Sequence, residues 1–147
     1  MKKSFHYMLM ANQAMVHKLL LAGLEDTELT LGQPKILDFL RDHDGVSQKE
    51  IATGCHIEAP SLTSILLRME ANGLIERRML NGNRRSLYVF LTDKGRKDMA
   101  RVAEEFEAIE KKAFLGIEDS ERDSFLKCFE KIYENLYREK EDLSWKE

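Results

Sequence analysis

The stretch that decides the fold is Ser47–Thr92, which reads SQKEIATGCHIEAPSLTSILLRMEANGLIERRMLNGNRRSLYVFLT. Its first half has the spacing of apolar residues typical of helices, and its second half alternates as strands do. Ser47 to Glu50 forms a capping box, which predicts a short helix from this point. A second helix, with Pro60 in its first turn, is expected to end before Gly73, because glycine suits the left-handed position after a helix.

Two strands are predicted in the second half, over residues 74–79 and 86–91. The Asn81-Gly82 dipeptide between them favours a hairpin turn, since both residues tolerate positive φ. The tip and return of this hairpin carry Asn83 followed by Arg84 and Arg85.

Helices are predicted on both sides of this stretch. The first covers residues 4–23, and the second starts with Thr30 as its N-cap, carries Pro34 in its first turn and stops at Asp44-Gly45. After the hairpin, Thr92 caps a helix through about Ala113, and a last helix runs from about 118–120 to about 140. The order of four helices, a hairpin and two helices predicts a mainly α fold with a small β-hairpin wing, the layout of a winged helix-turn-helix.

Composition excludes several classes of protein. The chain has 147 residues and a formal net charge of −3, which fits one domain without a strongly basic tail. Its two cysteines form no CxxC pattern, and no run approaches the roughly 18 apolar residues of a membrane helix. We therefore expect a cytoplasmic protein without a membrane span. Residues 47–91 carry six basic and four acidic side chains, so this segment alone is positive.

The outer face of the helix after Pro60 is a candidate surface for duplex DNA. Ser61, Thr63 and Ser64 are small hydroxyl residues that let a helix approach a major groove, and Arg68 can bind phosphate or guanine. Arg84 and Arg85 on the hairpin could enter a minor groove. The alternative for each set is an ordinary solvated surface, and the combination of helix and wing in this order favours DNA binding.

These residues resemble the MarR family of winged-helix repressors over almost the whole chain. The motifs that carry the resemblance are Leu29-Thr30-x-x-Gln33, Ser47-Gln48-Lys49-Glu50-Ile51-Ala52, Ser61-Leu62-Thr63-Ser64, Arg68-Met69-Glu70, Gly73-Leu74-Ile75-x-Arg77, Asn83-Arg84-Arg85 and Val89-x-Leu91-Thr92-x-x-Gly95. The resemblance implies a DNA-binding surface made of Ser61, Thr63, Ser64, Arg68, Arg77, Arg84 and Arg85. It also implies a single domain over 1–147, with a winged-helix lobe at 30–95 and dimerisation helices at 4–23 and 96–140.

The resemblance further implies a homodimer on a palindromic operator and a repressor that is released by a small aromatic or phenolic anion. His17 on the first helix could line such an effector pocket, although a histidine on an amphipathic helix is more often solvated. The chain departs from the family pattern at Asn83, where an aspartate is usual, and at Ser64, where an arginine is frequent. With the acidic balance, these departures motivate one alternative, a winged-helix protein-interaction module that does not bind DNA.

Other chemistries have little support in the sequence. Cys55 is the one candidate for a thiol sensor, because Cys128 is expected to pack among Phe125, Phe129 and Ile132. The histidines form no HxxxH spacing, so no metal site is expected, and no cofactor motif is found. The absence of the common catalytic motifs predicts that the protein is not an enzyme.

Overall fold

The computed structural model describes residues 3–80, 82 and 86–144, and the chain divides into two compact units. The first unit extends to Ile109 and the second begins at Glu110. The elements, in chain order, are α1 (Phe5–Gly23), α2 (Gln33–Leu40), β1 (Val46–Ser47), α3 (Gln48–Cys55), α4 (Ala59–Ala71), β2 (Ile75–Arg78), β3 (Tyr88–Leu91), α5 (Asp93–Ala113) and α6 (Asp119–Ser144).

The predicted helix boundaries are largely confirmed by their caps. The Ser47 hydroxyl accepts the Glu50 amide at 3.2 Å at the start of α3. At the start of α5, the Thr92 hydroxyl accepts the Gly95 amide at 3.0 Å. Gly73 follows α4 with a φ of +75°, the left-handed conformation that glycine adopts without steric cost. Local hydrogen-bonding residues therefore fix where these helices begin and end.

The predicted start of α2 at Thr30 is wrong. The N-cap is Gly32, whose φ of +86° cannot belong to a right-handed helix. The side chain of Gln33, almost fully buried, instead accepts the Thr30 amide at 3.2 Å. The helix also ends earlier than predicted, with Arg41 as its C-cap.

The sheet has three antiparallel strands in the order β1-β3-β2. The two hairpin strands are confirmed in slightly shorter form, with Arg77 opposite Val89. Strand β1 was not predicted, and it pairs Val46 with Val89. The Asp44 carboxylate accepts the Leu91 amide at 2.8 Å and fixes the adjoining loop. Of the predicted turn, Gly82 is described, with a φ of +69°.

The hydrophobic core lies in the first unit and is built around α2, α3 and α4. Leu62, Leu66 and Met69 on one side of α4 are at most 1% exposed. By contrast, Leu20 is the buried residue of α1, and no described side chain of α6 is buried within this chain. Both terminal helices therefore carry apolar residues that this chain does not itself cover.

Candidate nucleic-acid interface

The side of α4 that faces away from the core is polar and exposed. Ser61, Thr63, Ser64 and Arg68, four of the residues predicted to touch DNA, all lie on this side. The Thr63 hydroxyl donates to the Ala59 carbonyl at 3.0 Å, so its hydrogen is engaged within the helix. The structure thus brings the predicted helical residues together on one accessible surface.

A tight turn holds α4 against α3. His56 ends α3 in the left-handed conformation, with φ of 54° and ψ of 48°. The Ile57 amide donates to the Ala52 carbonyl at 3.0 Å, and Glu58 is already the N-cap of α4. Three residues therefore connect the two helices, which is the short connection that a helix-turn-helix requires.

Arg77 ties three elements of the lobe together. Its guanidinium donates two hydrogen bonds of 3.1 Å to the Glu70 carboxylate at the end of α4. A third, also 3.1 Å, goes to the Gln48 side chain at the start of α3. The Arg77 side chain is 13% exposed. In this structure three of its five N–H donors are engaged by protein groups, which suits a residue that positions α4.

The Glu70–Arg77 pair predicts a pH-dependent contribution to stability. The hydrogen bonds from Arg77 hold the pKa of Glu70 below its usual 4.5. Because the folded pKa is lowered, the contribution is present above pH 4.5 and is lost as pH falls through the folded value. Glu70 is 40% exposed, so we expect Glu70→Gln to lower the free energy of unfolding at pH 7 by only about 0.5 kcal/mol.

Urea unfolding at one fixed protein concentration, from pH 7 to pH 3.5, measures this effect. The difference between wild type and Glu70→Gln should shrink below pH 4.5. Glu76→Gln is the matched control, because Glu76 pairs with Arg78 where both side chains are more than half exposed. A constant difference at all pH values, or an equal effect of the control, would contradict the assignment.

Arg78, which no sequence motif indicated, is an exposed cation on strand β2 of the hairpin. Arg78 stacks over the Phe90 ring at 4.4 Å and donates to Glu76 at 2.8 Å. This contact could have been found from the alternation of side chains along β2 and β3. Arg78, Glu76 and Phe90 lie on the same face of the paired strands, where side chains contact each other. Arg84 and Arg85, predicted for the wing, lie outside the described residues.

The hairpin is anchored to the first turn of α5. The Thr92 hydroxyl donates to the Gly73 carbonyl at 2.6 Å, and the Thr92 amide donates to the Leu74 carbonyl at 3.1 Å. Gly95 packs so closely on Leu74 that an added Cβ would overlap the Leu74 carbonyl oxygen. The end of α4, the hairpin and the first turn of α5 are therefore held in one arrangement.

The burial of the two cysteines is the reverse of what the sequence suggested. Cys55, the candidate sensor, is 2% exposed, and its thiol donates to the Lys35 carbonyl at 3.9 Å. Burial raises the pKa of Cys55 to about 11. The expectation that Cys128 is packed is wrong, since Cys128 is exposed in this chain. A buried cysteine with a raised pKa is mostly thiol at neutral pH, and the thiol is the unreactive form.

We therefore expect Cys55 to resist modification in the folded protein. Iodoacetamide at pH 8 should leave Cys55 unmodified over a period that fully alkylates it in 8 M urea, and peptide mass spectrometry measures both. Alkylation of Cys55 in the native protein at the rate seen in urea would contradict this expectation and would reopen thiol sensing.

An open groove of about 640 Å³ lies between the loop after α1 and the start of α5. Its lining is charged with both signs and includes Asp26, Glu28, Lys94, Lys97, Arg101 and Glu104. Several of these charges neutralise each other, as in the 3.4 Å contact of Arg101 with Asp26. His17, considered as an effector contact but more often expected to be solvated, is half-buried on α1.

Within the described ranges, no three His, Cys, Asp or Glu side chains lie where they could hold a metal ion. Nor does any helix in that part of the chain have the length and apolar character needed to cross a membrane.

The fold and this surface define the class of winged helix-turn-helix transcription regulators. Residues 29–87 match the model of the MarR family. A solved transcriptional repressor, CouR, bound to a 23-mer DNA duplex, is 30% identical, with a TM-score of 0.79 over 88% of this chain and 92% of that chain. The chain belongs to the MarR family of transcriptional regulators.

One further regulator is similar in sequence, and one further solved structure is similar in fold. The HTH-type transcriptional regulator TtmR of Methylorubrum extorquens is 39% identical over 69 residues, which cover 47% of this chain and 35% of that regulator. A SlyA-like regulator from Listeria monocytogenes, 20% identical, has the same fold, with a TM-score of 0.84 over 95% of this chain and 92% of that chain. The match to TtmR thus spans about a third of its length.

Proposed function

We propose that this chain is a homodimeric, sequence-specific DNA-binding regulator that acts in the cytoplasm and has no enzymatic activity. The observation that carries the proposal is the outer face of α4, where small hydroxyl side chains and Arg68 lie exposed on a helix that a three-residue turn joins to α3. Small side chains permit close approach to the edges of base pairs in a major groove. Arg77 is proposed to serve this surface by fixing α4, and Arg84 and Arg85 to reach the adjacent minor groove.

The proposed dimer is supported by the exposed apolar side chains of the two terminal helices, α1 and α6. On α1, Phe5, Met10, Met15 and Leu19 are each more than half exposed. On α6, the exposed apolar residues are Phe125, Leu126, Phe129, Tyr133, Leu136 and Leu143. Apolar stripes of this extent are usually buried against a partner, and a second copy with twofold symmetry would present two α4 helices to a palindrome. In this arrangement α1 and α6 dimerise, and the region 30–95 binds DNA.

The proposed regulator acts as a repressor that a small aromatic or phenolic anion releases. The family resemblance supports this form of regulation. An effector that binds the DNA-free arrangement more tightly would shift the population away from the spacing that fits the operator. The groove beside α5 offers Lys97 for a carboxylate and some apolar lining for a ring.

Substitution of a wing arginine tests the DNA-binding proposal. Arg85→Ala is expected to weaken binding to all duplexes and to lower the slope of log affinity against log salt by about one, since one phosphate contact is lost. Fluorescence anisotropy of a labelled duplex, measured from 50 to 200 mM salt, gives both quantities. Arg138→Ala on α6 changes the net charge equally and should leave the slope unchanged.

Two outcomes would contradict the proposal in different ways. Arg85→Ala with wild-type affinity and slope would remove the wing from the interface. Binding by the wild type that shows no salt dependence, or no binding at all, would favour the alternative of a protein-interaction module.

A further inference from the structure

Leu67 lies on the outer side of α4, among the polar residues proposed to contact DNA, but its side chain is apolar. Its side chain is 51% exposed, although the helix buries Leu62 and Leu66 almost completely. At 100° per residue, Leu67 lies about 60° from Ser64 around the helix, and both point away from the buried side. Leu67 therefore belongs to the same surface as the small hydroxyl residues.

The neighbours of Leu67 on α4 are polar or small. Thr63, Ser64, Arg68 and Glu70 are all exposed, and Ala71 adds only a methyl group. Leu67 belongs neither to the buried core nor to the partly buried residues packed against it. Burial of this side chain would be favourable wherever a partner supplied an apolar group.

A duplex supplies one such group in the major groove. Every base edge there presents hydrogen-bond donors or acceptors, and thymine alone adds a C5-methyl group. Ser61, Ser64 and Arg68 can satisfy donors and acceptors, whereas Leu67 can do neither. This face of α4 therefore carries polar residues that can hydrogen-bond to base edges and one large aliphatic side chain, Leu67, that cannot.

We propose that Leu67 is a specificity-determining residue that recognises thymine through its C5-methyl group in each half of the operator. This inference rests on the proposed function, because it requires α4 to enter the major groove. It specifies one base of the operator: each half-site contains a thymine whose methyl group packs on Leu67.

Replacement of thymine by deoxyuridine tests the contact directly, because uracil lacks the methyl group and keeps every hydrogen-bonding group. In an operator obtained by selection, each half-site thymine is replaced in turn, symmetrically in both halves. For the wild type, one replacement should weaken binding about fourfold per methyl group and about fifteenfold for the pair. Leu67→Ala should bind the thymine operator with a similar loss and should not distinguish thymine from uracil at that position.

A control variant separates Leu67 from other exposed aliphatic side chains. Leu31→Ala makes the same aliphatic truncation at another exposed leucine, which lies before α2, and should retain the full thymine–uracil difference.

Several results would overturn the proposal while leaving DNA binding intact. These are equal wild-type affinity for thymine and uracil at every half-site position, a thymine–uracil difference that persists in Leu67→Ala or disappears in Leu31→Ala, and an operator whose half-sites contain no thymine. Failure of the wild type to bind any duplex in a salt-dependent way would overturn both the inference and the proposed function.

Discussion

The variant Ser64→Glu is expected to bind operator DNA about a hundredfold more weakly than the wild type. Ser64 is exposed near the middle of the outer face of α4. A negative charge there would face phosphates and electronegative base edges, and like charges brought together in an interface cost several kcal/mol. The free energy of unfolding should change by no more than about 0.5 kcal/mol, because the position is on the surface.

Two variants isolate the effect of the charge at this position. Ser64→Gln has nearly the same size and no charge, so its loss of affinity should be much smaller. Ser120→Glu adds the same charge in the first turn of α6 and should bind DNA as the wild type does. If Ser64→Glu and Ser64→Gln lose affinity equally, steric fit rather than charge governs this position. Wild-type affinity of Ser64→Glu would remove α4 from the interface.

The second large effect is expected for Gly95→Ala, which should lower the free energy of unfolding by about 1–2 kcal/mol. The new methyl group would overlap the Leu74 carbonyl oxygen, which already accepts the Thr92 amide and so cannot easily move. Overpacking against fixed backbone typically costs 1–3 kcal/mol, and the better helix propensity of alanine offsets a part of it. Thermal and urea unfolding at fixed protein concentration measure the change.

Gly23→Ala is the matched control for Gly95→Ala. Gly23 is also helical, but its added methyl group would meet the carboxylate of Glu105, the far end of a side chain that can rotate away. We expect the control to change the free energy of unfolding by less than about 1 kcal/mol. Equal stability of Gly95→Ala and wild type would show that the start of α5 is not clamped on Leu74.

The elements that could be predicted from the sequence are those with local signals. Ser47, Pro60, Gly73 and Thr92 act on backbone groups within a few residues, and their predicted places at helix ends are confirmed. Strand β1 is two residues long, too short for any period, and pairs with a strand about forty residues away. The start of α2 was missed because the left-handed conformation of Gly32 overrides the capping preference of Thr30.

The candidate site was predictable as a surface but not as a set of contacts. Helical periodicity separates the inner and outer faces of α4 from the sequence alone. The partners of Arg77 lie seven and twenty-nine residues away along the chain, so only the folded structure shows that three of its donors are engaged. Burial of Cys55 likewise depends on packing of α3 against α2. Because α3 has only eight residues, its sequence shows no periodic pattern that would reveal this packing.

Selection of bound duplexes from a random pool, at two salt concentrations, tests most directly whether this chain is a dimeric operator-binding regulator. The protein should be unfolded and refolded beforehand, so that no bound small molecule holds it in a released form. We expect enrichment of a palindrome whose half-sites lie about one helical turn apart, with tighter binding at the lower salt concentration. Enrichment of no sequence, together with the absence of salt-sensitive binding, would contradict DNA binding and favour the protein-interaction module.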